Sequence, residues 1–256
     1  MKIELEIKPR KNPFIPIEAE TITPVTFLKK ETDDITVWVG NREKKLSEVF
    51  DVKITGTADS EEDIEIILSG DCKSVKRIGE YMNAGRISVL GNIGKHCGNF
   101  MNGGIIEIEG DSDSWLGREM RGGEIICKGN TGNYCGSGYR GEKTGIKGGK
   151  ITIMKDAGDY PGECMAGGEI IIHGSSGNMP GCEMRKGKMT IYKDAILPCP
   201  NMRGGICYIL GTAKEILPTF KFTGSEFNKE YNTEFLVYEG DYANRAHKGM
   251  LFLRKA

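Results

Sequence analysis

Apolar and polar positions alternate in short bursts that recur at a fixed spacing between Gly79 and Gly211. Ile87 and Val89 are followed by Ile106 and Ile108, Ile125 and Cys127, Ile151 and Ile153, Ile170 and Ile172, Met189 and Ile191, and Cys207 and Ile209. These pairs stand two and four residues after Gly85, Gly104, Gly123, Gly149, Gly168, Gly187 and Gly205, whose steps are 19, 19, 26, 19, 19 and 18. The long step carries a seven-residue insertion near Gly138 to Lys143. A second column stands three residues before each glycine: Met82, Met101, Met120, Ile146, Met165, Met184 and Met202.

Alternation with period two over four or five residues predicts a strand with one buried face. A unit of about nineteen residues is too short to bury that face alone, so like side chains must stack from one unit to the next. The linking segments are rich in glycine and have no 3.6-residue period. The predicted fold is therefore all-β, a right-handed parallel β-helix of about seven coils of ~19 residues with caps at both ends. Glycine supplies positive φ and close approach at the corners.

Outside the repeat the pattern changes. Lys2 to Lys8 alternates as a strand, and the Pro9, Pro13, Pro16 and Pro24 segment reads as non-helical. Thr36 to Val39 reads as a strand turned by Gly40-Asn41, Leu46 to Phe50 as one helical turn, and Ile64 to Leu68 as an irregular coil ahead of the seven aligned ones. Beyond Gly211, Thr212 to Leu217 reads as a short helix stopped by Pro218, and Phe235 to Glu239 and Met250 to Leu253 as strands. The expected division is an N-terminal cap over 1–62, a Gly-rich β-helix over 63–211, and a C-terminal cap or side segment over 212–256.

Composition narrows the function classes. A formal net charge of -1 offers no footprint for nucleic acid or an anionic membrane. Met1 to Arg10 alternates charge with Ile and Leu, unlike a signal peptide, and no apolar run reaches membrane-spanning length, so a soluble cytoplasmic protein is expected. The eight cysteines include no C-x-x-C pair. Cys127 and Cys207 fall on inward positions, while Cys97, Cys135, Cys164, Cys182 and Cys199 fall near the corners, which reads as buried thiols with no metal on this chain.

Gly136-Ser137-Gly138-Tyr139-Arg140-Gly141 satisfies G-x-G-x-x-G but lacks the flanking strand, helix and acidic residue of a dinucleotide site. It reads as an insertion looping out between coils. His96, His173 and His247 are too scattered for a metal triad, and no nucleophilic or paired-carboxylate arrangement stands out. No catalytic, cofactor-binding or metal residue is assigned. The outward strand positions carry charge interrupted by Ile105, Ile126, Ile171, Ile206 and Tyr208, an apolar surface that reads as a candidate interface, covered either by the C-terminal segment or by another chain.

Taken together, the G-x-x-M-x-G-G-x-I-x-I-x-G repeats (98–110, 117–129, 162–174), Val37-Trp38-Val39-Gly40-Asn41-Arg42, Leu46-Ser47-Glu48-Val49-Phe50-Asp51-Val52 and Val75-Lys76-Arg77-Ile78-Gly79 resemble the C subunit of formylmethanofuran dehydrogenase, tungsten or molybdenum type. The repeat by itself is also similar to the C-terminal domain of the glutamate synthase large subunit and to the C subunit of the methylotroph formyltransferase/hydrolase complex. The resemblance implies an archaeal, multisubunit oxidoreductase that reduces CO2 and attaches it to methanofuran as a formyl group, the first step of methanogenesis. It implies a tungsten or molybdenum pterin, iron–sulfur clusters and a dinuclear metal site in other subunits, the pterin-binding and amidohydrolase-like ones. This chain is expected to be their non-catalytic scaffold. The alternative from a different class is a free-standing β-helix binding module.

Overall fold

The computed structural model describes residues 1–139 and 141–255. Arg140, part of the G-x-G-x-x-G motif, lies outside the described residues. The central feature is a sheet of thirteen strands among the described residues, most of them parallel and in chain order. Glu65–Ser69, Arg86–Val89, Ile105–Ile108, Glu124–Cys127, Lys150–Ile153, Ala166–Ile172, Lys186–Ile191 and Ile206–Ile209 each pair in parallel with the next. Each repeat therefore returns the chain one strand further along the sheet.

The register superimposes like on like. Ile87 pairs with Ile106, Ile106 with Ile125, Ile125 with Ile151, Ile151 with Ile170 and Ile170 with Met189. Two residues on, Val89, Ile108, Cys127, Ile153, Ile172, Ile191 and Ile209 form a second stack. Both stacks and the whole methionine column are buried. One slip of register would turn every one of these side chains to the outer face, so burial itself fixes the pairing.

A second line of parallel bridges joins Ile93, Ser112, Thr131, Ala157 and Ser176 away from the main sheet. Here side chains replace part of the backbone ladder. Asn92 accepts from the Asp111 N–H at 2.7 Å, Asp111 from Asn130 at 2.7 Å, Asn130 from Asp156 at 3.2 Å and Asp156 from Ser175 at 2.7 Å. Short amides and carboxylates at a fixed corner position thus satisfy donors that a glycine-rich bend leaves unpaired.

Both ends of the sheet are closed by antiparallel strands. Lys2–Ile7 lies parallel to Glu65–Ser69 and antiparallel to Phe50–Thr55. At the other end Gly249–Arg254 adds in parallel to Ile206–Ile209, then Thr233–Gly240 and Lys221–Asn228 follow antiparallel. A smaller sheet joins Ile17–Glu18, the hairpin Thr36–Val39 with Arg42–Lys45, and Val75–Lys76.

Three local expectations need correction. Pro24–Lys29 is a helix inside the proline-rich segment, because Pro24 occupies its first turn, where no amide hydrogen is required. Thr212 to Leu217 is not helical. Ala213–Lys214 instead pairs in parallel with Ala195–Ile196, continuing the repeat's second bridge line. Lys221–Asn228 is a strand that the sequence pattern did not mark, since Phe222 and Phe227 sit an odd number of residues apart and both remain exposed. The Leu46 turn is present as Leu46–Val49.

Candidate functional site

One corner of the repeat carries residues that are neither glycine nor hydrophobic core. Arg77, His96, Trp115, Tyr134 and Tyr160 all adopt left-handed backbone, with φ between 58° and 66°. In that conformation each amide points along the stack. His96 donates to the Ser114 carbonyl at 3.1 Å, Trp115 to Asn133 at 2.9 Å, Tyr134 to Asp159 at 2.8 Å and Tyr160 to Asn178 at 2.8 Å. Left-handed backbone costs a non-glycine residue on the order of 1–2 kcal/mol, and this inter-coil hydrogen bond with the side-chain stack offsets it.

The side chains form a ladder of their own. Ring centroids lie 5.1 Å apart for His96 and Trp115, 5.3 Å for Trp115 and Tyr134, and 5.3 Å for Tyr134 and Tyr160, with interplanar angles of 13°, 11° and 10°. That spacing is close to the strand separation of a sheet, so the stacking is inherited from the backbone repeat. Beside it, Tyr81 stacks on Phe100 at 4.8 Å.

The insertion leans across this corner. Tyr139, 45% exposed, is tilted against His96 at 6.1 Å and Trp115 at 5.7 Å. Arg118 is held between rings, its guanidinium carbon 4.4 Å from Phe100 and 5.2 Å from Tyr139. Two recesses share Tyr139. One, of about 340 Å³, is bounded by Glu18, Lys76, Arg77, Glu80, His96, Asn99 and Arg118. The other, of about 370 Å³, is bounded by Trp115, Tyr134, Lys143, Glu163, Cys164, Glu183 and Arg185. In the second, burial pushes the Glu163 carboxyl up, with Glu183 adding to the effect.

Polar atoms are left over around both recesses. Among the described residues, His96 Nδ1, Asn99 Oδ1, Trp115 Nε1, Arg118 Nε and Arg185 Nε are buried and have no hydrogen-bond partner. Burial lowers the His96 imidazole to about 4, helped by Arg118, Lys76, Arg77 and Lys95. Its folded value lies below its unfolded one, so above pH ~6.5 it contributes nothing, and as pH falls from there to about 4 the unfolded state alone takes the proton. Acid destabilisation is therefore expected in that window. His96→Asn, which tolerates left-handed backbone, should flatten the decline in melting temperature between about pH 6.5 and 4; an unchanged slope would refute the assignment.

The interface residues read from the sequence do not share one environment. Ile105, Ile126 and Ile171 are half-buried on the outer face of the main sheet, flanked in register by Arg86 and Glu124, by Glu107 and Thr152, and by Thr152 and Thr190. Ile206 is 39% exposed. Tyr208 is covered by this chain's own C-terminal strands, with Tyr231 at 5.1 Å, Phe235 at 5.3 Å and Phe252 at 4.5 Å. Thr190 is also covered, its hydroxyl 3.0 Å from that of Tyr231. His173 stacks on Tyr192 at 4.7 Å.

The cysteines are dispersed through the stack. All eight cysteines are buried and free, and desolvation pushes Cys97 and Cys182 up to about 12. No group of three or more metal-binding side chains occurs among the described residues. No helix is long and apolar enough to cross a membrane.

The aromatic ladder went unread in the sequence, although a signal existed. Arg77, His96, Trp115 and Tyr160 stand eight residues before Gly85, Gly104, Gly123 and Gly168. Tyr134 stands fifteen before Gly149, because the insertion falls between them.

No protein-family model matches the chain. The C subunit of tungsten-containing formylmethanofuran dehydrogenase 2 from Methanococcus maripaludis is 48% identical over 253 residues, 93% of this chain and 92% of that protein. The corresponding protein of Methanothermobacter wolfeii is 40% identical over 96 residues, 36% of this chain and 35% of the relative. The C subunit of molybdenum-containing formylmethanofuran dehydrogenase 1 from Methanosarcina barkeri is 38% identical over 96 residues, 36% of this chain and 32% of the relative. The chain thus spans about a third of the length of these last two relatives in the matched segments. In fold it is similar to a chain of the formyltransferase/hydrolase complex from Methylorubrum extorquens, in complex with methylofuran, with TM-score 0.89, 22% identity, and 99% and 100% of the two chains covered. With 48% identity over nearly the full length of both proteins, the chain belongs to the family of formylmethanofuran dehydrogenase C subunits.

Proposed function

We propose that this chain is a non-catalytic scaffold within a formylmethanofuran dehydrogenase, the cytoplasmic enzyme that reduces CO2 and attaches it to methanofuran as a formyl group at the start of methanogenesis. The observation that carries this reading is the 48% identity over 93% of the chain to the C subunit of a tungsten enzyme. On this reading the parallel stack is a right-handed β-helix of about seven coils, capped by 1–62 and 212–256. Its partners are the pterin-binding and amidohydrolase-like subunits, which hold the tungsten or molybdenum pterin, the iron–sulfur clusters and a dinuclear metal site. Its stiffness supports the role, because each coil is locked to the next by backbone hydrogen bonds, stacked rings and side-chain amides. The likeness to the formyltransferase/hydrolase complex is one of fold, and no observation favours that second reading.

The surface proposed to hold the partners is the row containing Ile126 and Ile171, with Ile105 beside it and Ile206 at the far end. An isoleucine left in water forgoes on the order of 1.5 kcal/mol, and a partner would recover the share that flanking residues do not already cover. Ile126→Lys with Ile171→Lys should leave the isolated chain's melting temperature within a few degrees, since both side chains point outward. The same pair should reduce co-purification of the larger subunits, and with it CO2 reduction, by about tenfold or more. A fully assembled and active enzyme carrying both lysines would place the partners elsewhere.

A further inference from the structure

We propose that the recess between His96, Asn99, Arg118 and Tyr139 is a binding site for an organic carboxylate. This goes beyond the scaffold role and does not rest on it. Arg118 is the centre of the site. Phe100 and Tyr139 cover the faces of its guanidinium, at 4.4 and 5.2 Å, so only its edge is left for hydrogen bonding. At that edge Nε is buried and unpartnered among the described residues, and the Glu119 carboxylate stands at 3.8 Å, beyond hydrogen-bond reach. A guanidinium edge presents parallel N–H groups that match the two oxygens of a carboxylate.

The neighbouring polar groups complete the site. Asn99 is 2% exposed, lines the same recess and has an unpartnered Oδ1, so half a turn of its amide presents an N–H₂ donor there. His96 is neutral, and its buried, unpartnered Nδ1 donates in one of the two tautomers. Leaving three such groups buried and unpaired costs free energy, which a ligand that fills them removes.

The charge balance selects an anion. Lys76 is matched by Glu18 at 3.3 Å and Arg77 by Glu80 at 2.5 Å. Arg118 has only the looser Glu119 contact at 3.8 Å, and Lys95, whose ammonium stands 6.0 Å from the Trp115 ring centroid, has no ion-pair partner among the described residues. One guanidinium edge with two neutral donors suits a singly charged planar group better than a phosphate dianion. An organic body is selected by the walls. Tyr139 is tilted by 52° to His96 and 47° to Trp115, which leaves an aromatic wedge in a recess of about 340 Å³, at the small end of ligand pockets.

Benzoate is the probe. Trp115 stacks on His96 of the site at 5.1 Å, and Trp38 pairs in register with Glu18 at its rim, so the full chain carrying Trp38→Phe reports through Trp115 alone. Saturable quenching by millimolar benzoate is expected, with no comparable response to the neutral benzamide. Arg118→Lys, which keeps the charge but not the planar edge, should weaken binding about tenfold, the equivalent of about 1.4 kcal/mol. His96→Asn should weaken it as well, and thermal melts should show both variants folded. The assembled enzyme then separates the two sources of a carboxylate: retained benzoate binding points to a free acid, while loss on assembly points to an acidic side chain of a neighbouring protein in the complex. Absence of saturable quenching, equal binding of benzamide, or unchanged affinity in folded Arg118→Lys would overturn the proposal.

Discussion

Ile108→Asp is expected to unfold the chain at ordinary temperature. Ile108 is fully buried, paired in register between Val89 and Cys127, and stacked within the inner column that runs the length of the sheet. The substitution removes roughly 1.5–3 kcal/mol of apolar burial. It also forces a carboxylate into a space with no partner, which costs several kcal/mol more even if the group protonates. Together these approach the whole stability of a typical domain, about 5–15 kcal/mol. Ile153→Asp, beyond Cys127 in the same column, should do the same. Circular dichroism melts of both variants would test this, and a parental melting temperature in either would mean that the column does not face inward.

Gly123→Ala is expected to be strongly destabilising although it adds only one methyl group. Gly123 has φ of +82°, and a Cβ there would lie 2.7 Å from the Gly104 carbonyl oxygen and 2.8 Å from the Met101 methyl. The first of these neighbours is backbone and cannot move without parting two coils. Gly141 provides the comparison, because its φ is +90° but a Cβ would meet nothing within 4 Å. Gly141→Ala should cost only the backbone strain, about 1 kcal/mol. Gly123→Ala should cost about 3 kcal/mol or more, since strain and steric displacement add. For a chain of this size that is a fall of roughly 6–12 °C in melting temperature. Equal melting temperatures for the two variants would show that coil spacing is not set by contact at the corner glycines.

Both predictions rest on parts of the molecule that were legible in the chain. The inner isoleucine columns, the methionine column and the aligned glycines determined the buried face, the parallel order and the position of the insertion. They could do so because burial imposes the same chemical requirement on every repeat, and a requirement repeated at fixed spacing survives as a pattern. The resemblance in the motifs from Val37 to Gly79 and in the repeats was likewise enough to indicate the family that the near-full-length relative shows.

What tertiary structure alone decided is different in kind. For Tyr208 the sequence left the cover open between the C-terminal segment and another chain, and only the C-terminal strands, bringing in Tyr231, Phe235 and Phe252, show that this chain covers it itself. Pro24 looked like a barrier to helix and proved to be a helix start. His96, Trp115, Tyr134 and Tyr160 differ in chemistry, and the insertion breaks their spacing, so no single column announced them. Their stacking follows from left-handed backbone at a corner, and their meeting with Arg118 and Tyr139 follows from a loop folding across coils. Residue type and spacing record what each repeat must bury. They do not record which unlike groups from different coils are brought together at an edge, because that depends on where the stacked backbone carries them.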